Sequence, residues 1–418
     1  MRVCKFGGSA LRCAEDFRKV RALTEAEPDR RVIVPSAPGK RDRTDEKITD
    51  LLYACQSAAE SGRGFGHLFD HIAARYREIA AGLGLPAPDG ELRQIYTGLR
   101  RGEGPAWAAS RGEWLCGRLL AAWLDLPFAD AADVIRFDGS GKLMKAETAQ
   151  ALRALPAGSC VLPGFYGADA AGRIHTFPRG GSDVTAALAA AACNADLYEN
   201  WKDVPGIFAA DPALVPDALC AGDMTYRELR ALSMLGAQVI CEDAAAPLRA
   251  AGIALNIRSF SQPRHPGTWV RPAFGAGRRA AAIGVTGREG LSLWRLERID
   301  GGAGLTQAAF RAGLPMDRLA ADADALCLTL RGEAALPDAL SALADAVWRH
   351  PRVAAVSVVG EELKNADGAA RLSAALSAAG TQAFSLHMPP DGLYITALVA
   401  QDDYRRAVNA AYDAFIRR

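Results

Sequence analysis

The chain has 418 residues, of which 49 are basic and 48 acidic, and its formal net charge is +1. At roughly 100–200 residues per domain, this length suits two to four domains. The balanced charge argues against nucleic acid as the main partner, because nucleic-acid binding relies on a basic surface. No run of about 18 apolar residues occurs, and the N-terminus enters a strand pattern at once. We therefore expect a cytoplasmic protein without a membrane span or signal peptide.

The cysteines and histidines do not suggest a metal site. Nine cysteines are scattered without a pair at metal-ligand spacing, which predicts reduced thiols. His67 and His71 are four residues apart, as two ligands on one helix face are, but no third ligand is suggested near them. We expect no metal centre built by the protein alone.

Short apolar runs alternate with helical patterns along the first two thirds of the chain. The strand candidates are residues 2–6, 31–38, 159–164, 196–201 and 253–259. The helical patterns cover residues 45–60, 67–83, 111–124, 145–154, 182–193, 226–236 and 243–251. This alternation predicts an α/β domain with a largely parallel sheet.

A stretch with several Pro and Gly residues, 262–277, breaks this alternation and predicts a domain boundary. Beyond it, strands are expected at 281–286, 324–330, 353–359 and 393–399, and helices at 303–312, 336–349, 368–379 and 402–416. The repeated order predicts two βαββαβ-like modules. The expected domains are therefore residues 1–270, 280–350 and 351–418.

The first motif with chemical meaning is Lys5-Phe6-Gly7-Gly8-Ser9, at a strand-to-helix junction. Glycines without a Cβ let backbone N–H groups approach a phosphate, and a helix N-terminus adds about half a positive charge. Lys5 adds a full charge. A single turn of this kind is more often an ordinary connection capped by its serine. It is not a Walker P-loop, because no Gly-Lys-Ser/Thr follows.

A second motif, Arg179-Gly180-Gly181-Ser182-Asp183, repeats this arrangement before an apolar helix. Arg179 offers a planar fork that suits a carboxylate. Asp183 lies in the first helical turn, where it can cap the helix or act on phosphates through Mg²⁺ or a lysine. Two such turns in one sheet predict two anions facing each other at the carboxyl edge of the strands.

These motifs and several others resemble the aspartate kinases. The resemblance covers residues 1–270 closely and the rest more loosely, and it is greatest to the clostridial branch. It is carried by the two Gly-rich motifs and by Val34–Lys40, Gly112-Glu113, Trp201–Gly206, Ala210–Pro212 and Met224–Leu229. It implies a three-layer α/β/α amino-acid kinase domain followed by two ACT modules. The implied activity is phosphorylation of the L-aspartate side-chain carboxylate by ATP with Mg²⁺, the first step toward lysine, threonine and methionine.

The resemblance also implies roles for individual residues. Lys5 and Asp183 would be catalytic, with Lys5 neutralising the charge on the transferring phosphate. The substrate would be bound by Glu113 at its amino group and Arg179 at its α-carboxylate, with Thr49 and Ser36 nearby. ATP would be bound by Lys5, Gly7, Gly8, Ser9, Gly180, Gly181, Ser182, Lys202, Asp203, Phe208 and Asp211.

Several positions depart from the family pattern. Lys202 stands where the family usually has threonine, Ala213 where it has arginine and Gln238 where it has lysine. Lys202 can replace one missing cation. The expected effector loops read Arg318-Leu319-Ala320-Ala321-Asp322-Ala323 and His387-Met388-Pro389-Pro390-Asp391-Gly392, without the usual small hydroxyl residues. We therefore expect weak feedback regulation.

Two alternatives stay open. One is a kinase of another small carboxylate or of carbamate in the same superfamily, and the other is a catalytically weakened regulatory paralogue. The combination of Lys5, Glu113, Arg179 and Asp183 favours aspartate kinase over both. A homodimer through the ACT region is expected, because small sheets with exposed edges tend to pair.

Overall fold

The computed structural model describes residues 1–418 except 157, 179, 238, 274–280, 298–302, 322–324, 333, 365–366 and 418. Contacts divide the chain into two compact units. The first contains residues 1–207, 222–226 and 240–274, and the second contains 208–221, 227–239 and 275–418. Two segments inside the expected 1–270 domain thus pack with the second unit.

The first unit alternates strands and helices in the predicted way. Its strands are β1 (Arg2–Phe6), β2 (Arg30–Pro35), β3 (Cys160–Val161), β4 (Tyr166–Ala168), β5 (Ile174–Thr176), β6 (Leu197–Lys202), β7 (Asp223–Thr225), β8 (Ala254–Ser259) and β9 (Thr268–Arg271). Its helices are α1 (Ala14–Glu25), α2 (Ile48–Glu60), α3 (Gly66–Leu83), α4 (Asp89–Arg101), α5 (Pro105–Leu124), α6 (Ala131–Val134), α7 (Lys145–Arg153), α8 (Gly181–Ala192) and α10 (Glu242–Ala250). Helix α9 (Tyr226–Leu235) belongs to the second unit except for Tyr226.

The main sheet of the first unit has the strand order β3-β2-β1-β6-β8-β9-β7. All neighbouring pairs in it are parallel except β8 with β9. The predicted, largely parallel sheet is confirmed. The chain builds one side of the sheet from β1 through β2 to β3, and β6 then joins β1 on its other side. The order therefore reverses between β1 and β6.

A buried carboxylate holds the central strands together. Glu199 on β6 is fully buried, and the Arg30 side chain donates to both of its oxygens, at 2.6 Å from Nε and 3.1 Å from Nη2. Arg258 on β8 lies 3.5 Å away, and the Trp201 indole N–H donates to the same carboxylate at 3.1 Å. Burial alone raises the pKa of Glu199, but Arg30, together with Arg258 and Cys4, outweighs burial and holds the pKa below its usual range. Arg30, Glu199 and Arg258 thus link β2, β6 and β8.

The second unit is an antiparallel sheet with helices. Its strands are β10 (Gly284–Glu297), β11 (Met316–Ala321), β12 (Ala325–Arg331), β13 (Ala346–Val359), β14 (Ala383–His387) and β15 (Tyr394–Ala400). Its further helices are α11 (Ala303–Arg311), α12 (Asp338–Ser341), α13 (Gly368–Ala378) and α14 (Tyr404–Phe415). The strand order is β11-β12-β10-β13-β15-β14. Two β-α-β-β segments thus meet where the long strands β10 and β13 pair.

One predicted element is wrong. The helix expected over 336–349 is helical only in α12, and residues from Ala346 onward belong to β13. The expected module boundary at 350/351 therefore falls within a strand. The Ala- and Leu-rich segment has helical periodicity, but pairing with β10 places Trp348 opposite Arg295 and Arg349 opposite Trp294. Tertiary pairing overrides the local propensity here.

Among the described residues, no helix is both long and apolar enough to cross a membrane.

Candidate active site

The site lies where the strand order reverses, between β1 and β6. In open α/β sheets, ligands bind outside the carboxyl ends of the strands at such a point. Lys5 on β1 lies opposite Asn200 in the parallel register, and Lys202 ends β6 two residues later. Residues two apart on a strand face the same side, so Asn200 and Lys202 share a face. The topology brings polar groups together at the expected edge of the sheet.

Two lysines share one buried carboxylate at this edge. Lys5 Nζ lies 2.8 Å from Asp183 Oδ1, and each of these side chains is 10% exposed. Lys202 Nζ lies 3.9 Å from Asp183 Oδ2. Burial alone raises the pKa of Asp183, but the charges of Lys5 and Lys202 outweigh it and lower the pKa. Asp183 is therefore an anion held between two cations. Burial lowers the pKa of Lys202, although Asp183 acts in the opposite direction.

The first Gly-rich turn packs closely on the loop that follows β2. The Gly7 N–H donates to the Trp201 carbonyl at 3.1 Å, and the Gly8 carbonyl accepts from the Gly39 N–H at 2.9 Å. A Cβ on Gly8 would lie 2.8 Å from the Ala37 carbonyl oxygen, so a side chain does not fit there. The short 3₁₀ turn Gly8–Ala10, which contains Ser9, continues the chain. The glycines thus allow two backbone segments to meet beside Lys5.

The second Gly-rich turn begins α8 and faces the first. Gly180 has a left-handed backbone with φ of 59°, a conformation that glycine adopts without strain. A Cβ on Gly181 would lie 2.7 Å from the Phe165 ring. The Ser36 hydroxyl donates to the Ser182 hydroxyl at 3.0 Å, which links the loop after β2 to the start of α8. Asp183 lies in the first turn of α8, as the sequence predicted.

Glu113 on α5 is a buried carboxyl group with unused hydrogen-bonding capacity. Burial raises its pKa to about 7, while the backbone N–H of Ala37 and the charge of Lys5 act to lower it. Its Oε2 has no hydrogen-bond partner among the residues that the structure describes. A Cβ on the preceding Gly112 would lie 2.9 Å from Ala37 Cβ. Close packing therefore places Glu113 beside the loop that also contains Ser36.

Three other residues were predicted to bind substrate or nucleotide: Thr49, Asp203 and Arg179. Thr49 is the second residue of α2, next to Ile48, whose side chain packs near Gly112. Asp203 follows β6 directly and is exposed. Arg179 lies outside the described residues.

Phe208 and Asp211 belong to the second unit. There Phe208 forms an isolated bridge with Cys220, and Asp211 accepts a hydrogen bond from the Ala213 N–H at 2.9 Å. Within the first unit, the structure brings together Lys5, Ser36, Glu113, Ser182, Asp183 and Lys202.

Sequence reasoning missed residues that support the site. Asn200 is fully buried and donates to the Asp183 carboxylate and, at 3.2 Å, to the Tyr198 hydroxyl. The Tyr76 hydroxyl on α3 donates to the Gly112 carbonyl at 2.7 Å, and Arg75 donates to the Gly39 carbonyl at 3.0 Å. A signal existed for Asn200, because an amide inside a buried strand is uncommon unless it is hydrogen-bonded. No pattern distinguished Tyr76 or Arg75 from other helical residues.

The chain is similar to a known protein family and to several known sequences and solved structures. The model of the amino acid kinase family matches residues 1–259. The crystal structure of the aspartate kinase of Clostridium acetobutylicum is 32% identical and covers 99% of this chain and 100% of its own, with a TM-score of 0.92. Aspartokinase 3 of Bacillus subtilis is 29% identical over 99% of this chain and 98% of its own length. Aspartokinase III of Escherichia coli, solved with aspartate and ADP, has the same fold, with a TM-score of 0.77 at 24% identity and 99% coverage of both chains.

The chain belongs to the amino acid kinase family. Within that family, the predicted resemblance to the aspartate kinases is confirmed by relatives that match over their whole length. The predicted enzyme class, a kinase that acts on aspartate, is confirmed with it. So is the fold class, a largely parallel α/β domain followed by a region of ACT type.

Proposed function

We propose that this enzyme transfers the γ-phosphoryl group of ATP to the side-chain carboxylate of L-aspartate and releases 4-phospho-L-aspartate and ADP. A carboxylate oxygen attacks the γ-phosphorus, a new P–O bond forms, and the bond to the β-phosphate oxygen breaks. The observation that carries the proposal is the Lys5–Asp183 pair, which lies between two Gly-rich turns and close to the buried Glu113. The complex of the Escherichia coli enzyme with aspartate and ADP supports this pair of ligands.

Lys5 and the backbone of the two turns are proposed to hold the phosphates. Catalysis of phosphoryl transfer depends mainly on positioning and on neutralising charge at the transferring group. The Lys5 ammonium is oriented in advance by Asp183, so it needs little rearrangement when the charge develops. The backbone N–H groups of Gly8, Ser9 and Gly180–Ser182 supply further contacts to phosphate oxygens, while Gly7 donates its N–H to the Trp201 carbonyl and lets the turn come close.

The substrate amino acid is proposed to bind beside α5. The unpaired oxygen of Glu113 accepts from the ammonium group of aspartate, which supports a role in substrate binding. Ser36 and Thr49 lie on the neighbouring loop and helix and complete this side of the site. The role of Arg179 at the α-carboxylate rests on the sequence motif alone.

The nucleotide is proposed to bind with Mg²⁺ at the β6 side. Among the described residues, no three His, Cys, Asp or Glu side chains cluster as a metal site. Mg²⁺ commonly binds through substrate phosphates and one or two carboxylates, so it does not need a cluster of three protein ligands. Asp203, which is exposed and directly follows β6, would hold the ion together with the phosphates, and the ion would neutralise phosphate charge when bound. Lys202, Phe208 and Asp211 are the remaining proposed nucleotide contacts.

Dimerisation through the second unit is part of this proposal, as is a cytoplasmic location. Trp348, Phe384 and Leu386 are 63%, 36% and 40% exposed and line a depression of about 830 Å³ on the six-stranded sheet. Exposed apolar patches of this kind are typical of protein interfaces. The nine cysteines are all free thiols, which suits a reducing compartment. Size-exclusion chromatography with light scattering tests the dimer, and Trp348→Glu should shift the mass to that of a monomer.

One coupled assay tests the activity. Purified enzyme is incubated with ATP and Mg²⁺ and, separately, with L-aspartate, L-glutamate, N-acetylglutamate and carbamate. We expect release of ADP that depends on aspartate. Hydroxylamine should trap the acyl phosphate product as a hydroxamate. Turnover with another acceptor alone would identify a different kinase of the family. The absence of turnover with all four would indicate a regulatory paralogue.

A further inference from the structure

Helix α3 touches two segments of the proposed substrate site through adjacent residues. Arg75 donates to the Gly39 carbonyl at 3.0 Å, on the loop that follows β2. The Tyr76 hydroxyl donates to the Gly112 carbonyl on α5 at 2.7 Å. We propose that Arg75 and Tyr76 are positioning residues, which hold this loop against α5 and thereby fix Glu113 for the ammonium group of the substrate. The inference rests on the proposed function and deepens it, because it adds residues that act on the substrate only through others.

Arg75 anchors this loop from the side of α3. Its side chain is 4% exposed and forms an ion pair with Asp45, whose carboxylate also accepts from the Arg41 N–H at 2.8 Å. Arg75 thus holds the loop at two points, the Gly39 carbonyl and the Asp45 carboxylate. The planar guanidinium suits this task, because its donors point in fixed directions to both acceptors. The Gly39 N–H in turn donates to the Gly8 carbonyl at 2.9 Å, so the loop is held between α3 and the first Gly-rich turn.

Tyr76 holds α5 at the residue before Glu113. Its side chain is fully buried, and burial raises its pKa, so the hydroxyl keeps its proton at neutral pH and donates it to Gly112. A Cβ on Gly112 would lie 2.9 Å from Ala37 Cβ, so α5 and the loop are in close contact here. The Ala37 N–H donates to the Glu113 carboxylate. Movement of either segment would therefore remove a donor from the group that is proposed to bind the substrate ammonium.

A role in stability alone has a different signature. A buried ion pair can serve only to satisfy its own charges, and loss of one partner then destabilises the fold without a specific effect on substrate. If the two α3 residues position the loop, their loss weakens the bond from Ala37 and raises the pKa of Glu113, because that N–H favours the charged carboxylate. The pH dependence of aspartate binding therefore distinguishes the two roles. The titratable groups around Glu113 come from β1, α2, α3, α5 and β4, and they are Lys5, Tyr53, Tyr76, Cys116 and Tyr166.

Two variants that leave the net charge unchanged test the inference. Tyr76→Phe removes only the hydroxyl, and Arg75→Lys keeps the cation but does not direct donors to both acceptors. We expect each to raise aspartate KM about fivefold at about pH 7.5 and ATP KM by less than about twofold. The midpoint of the pH dependence of aspartate KM should move upward by about 0.5–1 pH unit. Arg77→Met replaces an exposed arginine of the same helix and should keep wild-type values.

The results separate positioning from stability and from a different enzyme. Wild-type aspartate KM and an unmoved pH midpoint in Tyr76→Phe would overturn the inference, and this variant decides the question even if Arg75→Lys does not fold. A lowered thermal unfolding midpoint, with equal changes in both KM values and no shift of the pH midpoint, would show a structural role and also overturn it. Failure of the wild type to phosphorylate aspartate would instead refute the proposed function, and the inference with it.

Discussion

Lys5 Nζ and Asp183 Oδ1 lie 2.8 Å apart, although Lys5 ends the first strand and Asp183 begins the helix after the second Gly-rich turn. Both side chains are nearly buried, so water and salt screen their interaction less than at the surface. The Lys5 ammonium is therefore fixed in position before any ligand binds. A phosphate that enters the site meets an oriented charge, which is the condition for electrostatic catalysis.

Replacing Lys5 with alanine should lower kcat by about 10²–10³-fold and affect aspartate KM much less, because the charge acts chiefly on the transition state. Steady-state kinetics with varied aspartate and ATP measure both effects. Lys19→Ala, in which an exposed lysine of α1 is replaced, is the matched control and should keep wild-type kinetics. Near-normal kcat in Lys5→Ala would show that the phosphate binds elsewhere.

Aspartate binding should weaken as the pH falls through about 7. Burial raises the pKa of Glu113 to about 7, and the protonated carboxyl no longer offers an anion to the substrate ammonium. In Glu113→Gln, aspartate KM should be higher at every pH and no longer follow this titration, at a cost of roughly 2–4 kcal/mol in binding. KM measured between pH 6 and 8.5 tests this. A wild-type KM that does not change across that range would contradict it.

The same carboxyl should reduce the stability of the enzyme at neutral and alkaline pH. Between its usual pKa of 4.5 and the folded value of about 7, the folded chain holds a proton that the unfolded chain has lost. Stability from this group therefore falls as the pH rises through that window and stays low above it. Glu113→Gln removes the penalty, so its thermal unfolding midpoint should exceed that of the wild type at pH 8 but not at pH 5. Equal midpoints at pH 8 would argue against the buried charge.

Glu199→Ala should destabilise the first unit by about 3–5 kcal/mol, because it leaves the buried Arg30 without its carboxylate. The free energy of unfolding is measured by urea titration, with amide hydrogen exchange of peptides from the first unit as the probe. Asp89→Ala breaks the exposed Arg77–Asp89 pair and should change stability by less than about 1 kcal/mol. Similar losses in both variants would show that the Glu199 pair is no stronger than a surface pair.

Lysine and threonine should inhibit this enzyme weakly. Leu319 and Ala320 lie within β11, and neither adds a side-chain donor or acceptor for an amino acid. Pro389 and Pro390 follow β14 and lack backbone N–H groups, so that turn offers two fewer donors to a carboxylate. Activity at subsaturating aspartate is measured with each amino acid at millimolar concentration, alone and together. Inhibition of more than about tenfold would contradict the prediction, since it corresponds to about 1.4 kcal/mol of coupling.

The sequence alone determined the local features of this enzyme. Strand and helix candidates such as residues 2–6, 67–83 and 182–193 agree with β1, α3 and α8 to within one residue at each end, because periodicity and capping are local properties. The two Gly-rich turns were recognisable for the same reason. Each requires glycine at particular backbone positions, and that requirement is visible in a few adjacent residues.

Only the tertiary structure decided how these features meet. The contact of Lys5 with Asp183, the burial that raises the pKa of Glu113, and the bond from Asn200 to Asp183 all join residues from different elements. Strand β13 formed where the sequence predicted a helix, because pairing with β10 outweighed local propensity. Long-range pairing and desolvation depend on which segments become neighbours, and local periodicity does not determine that.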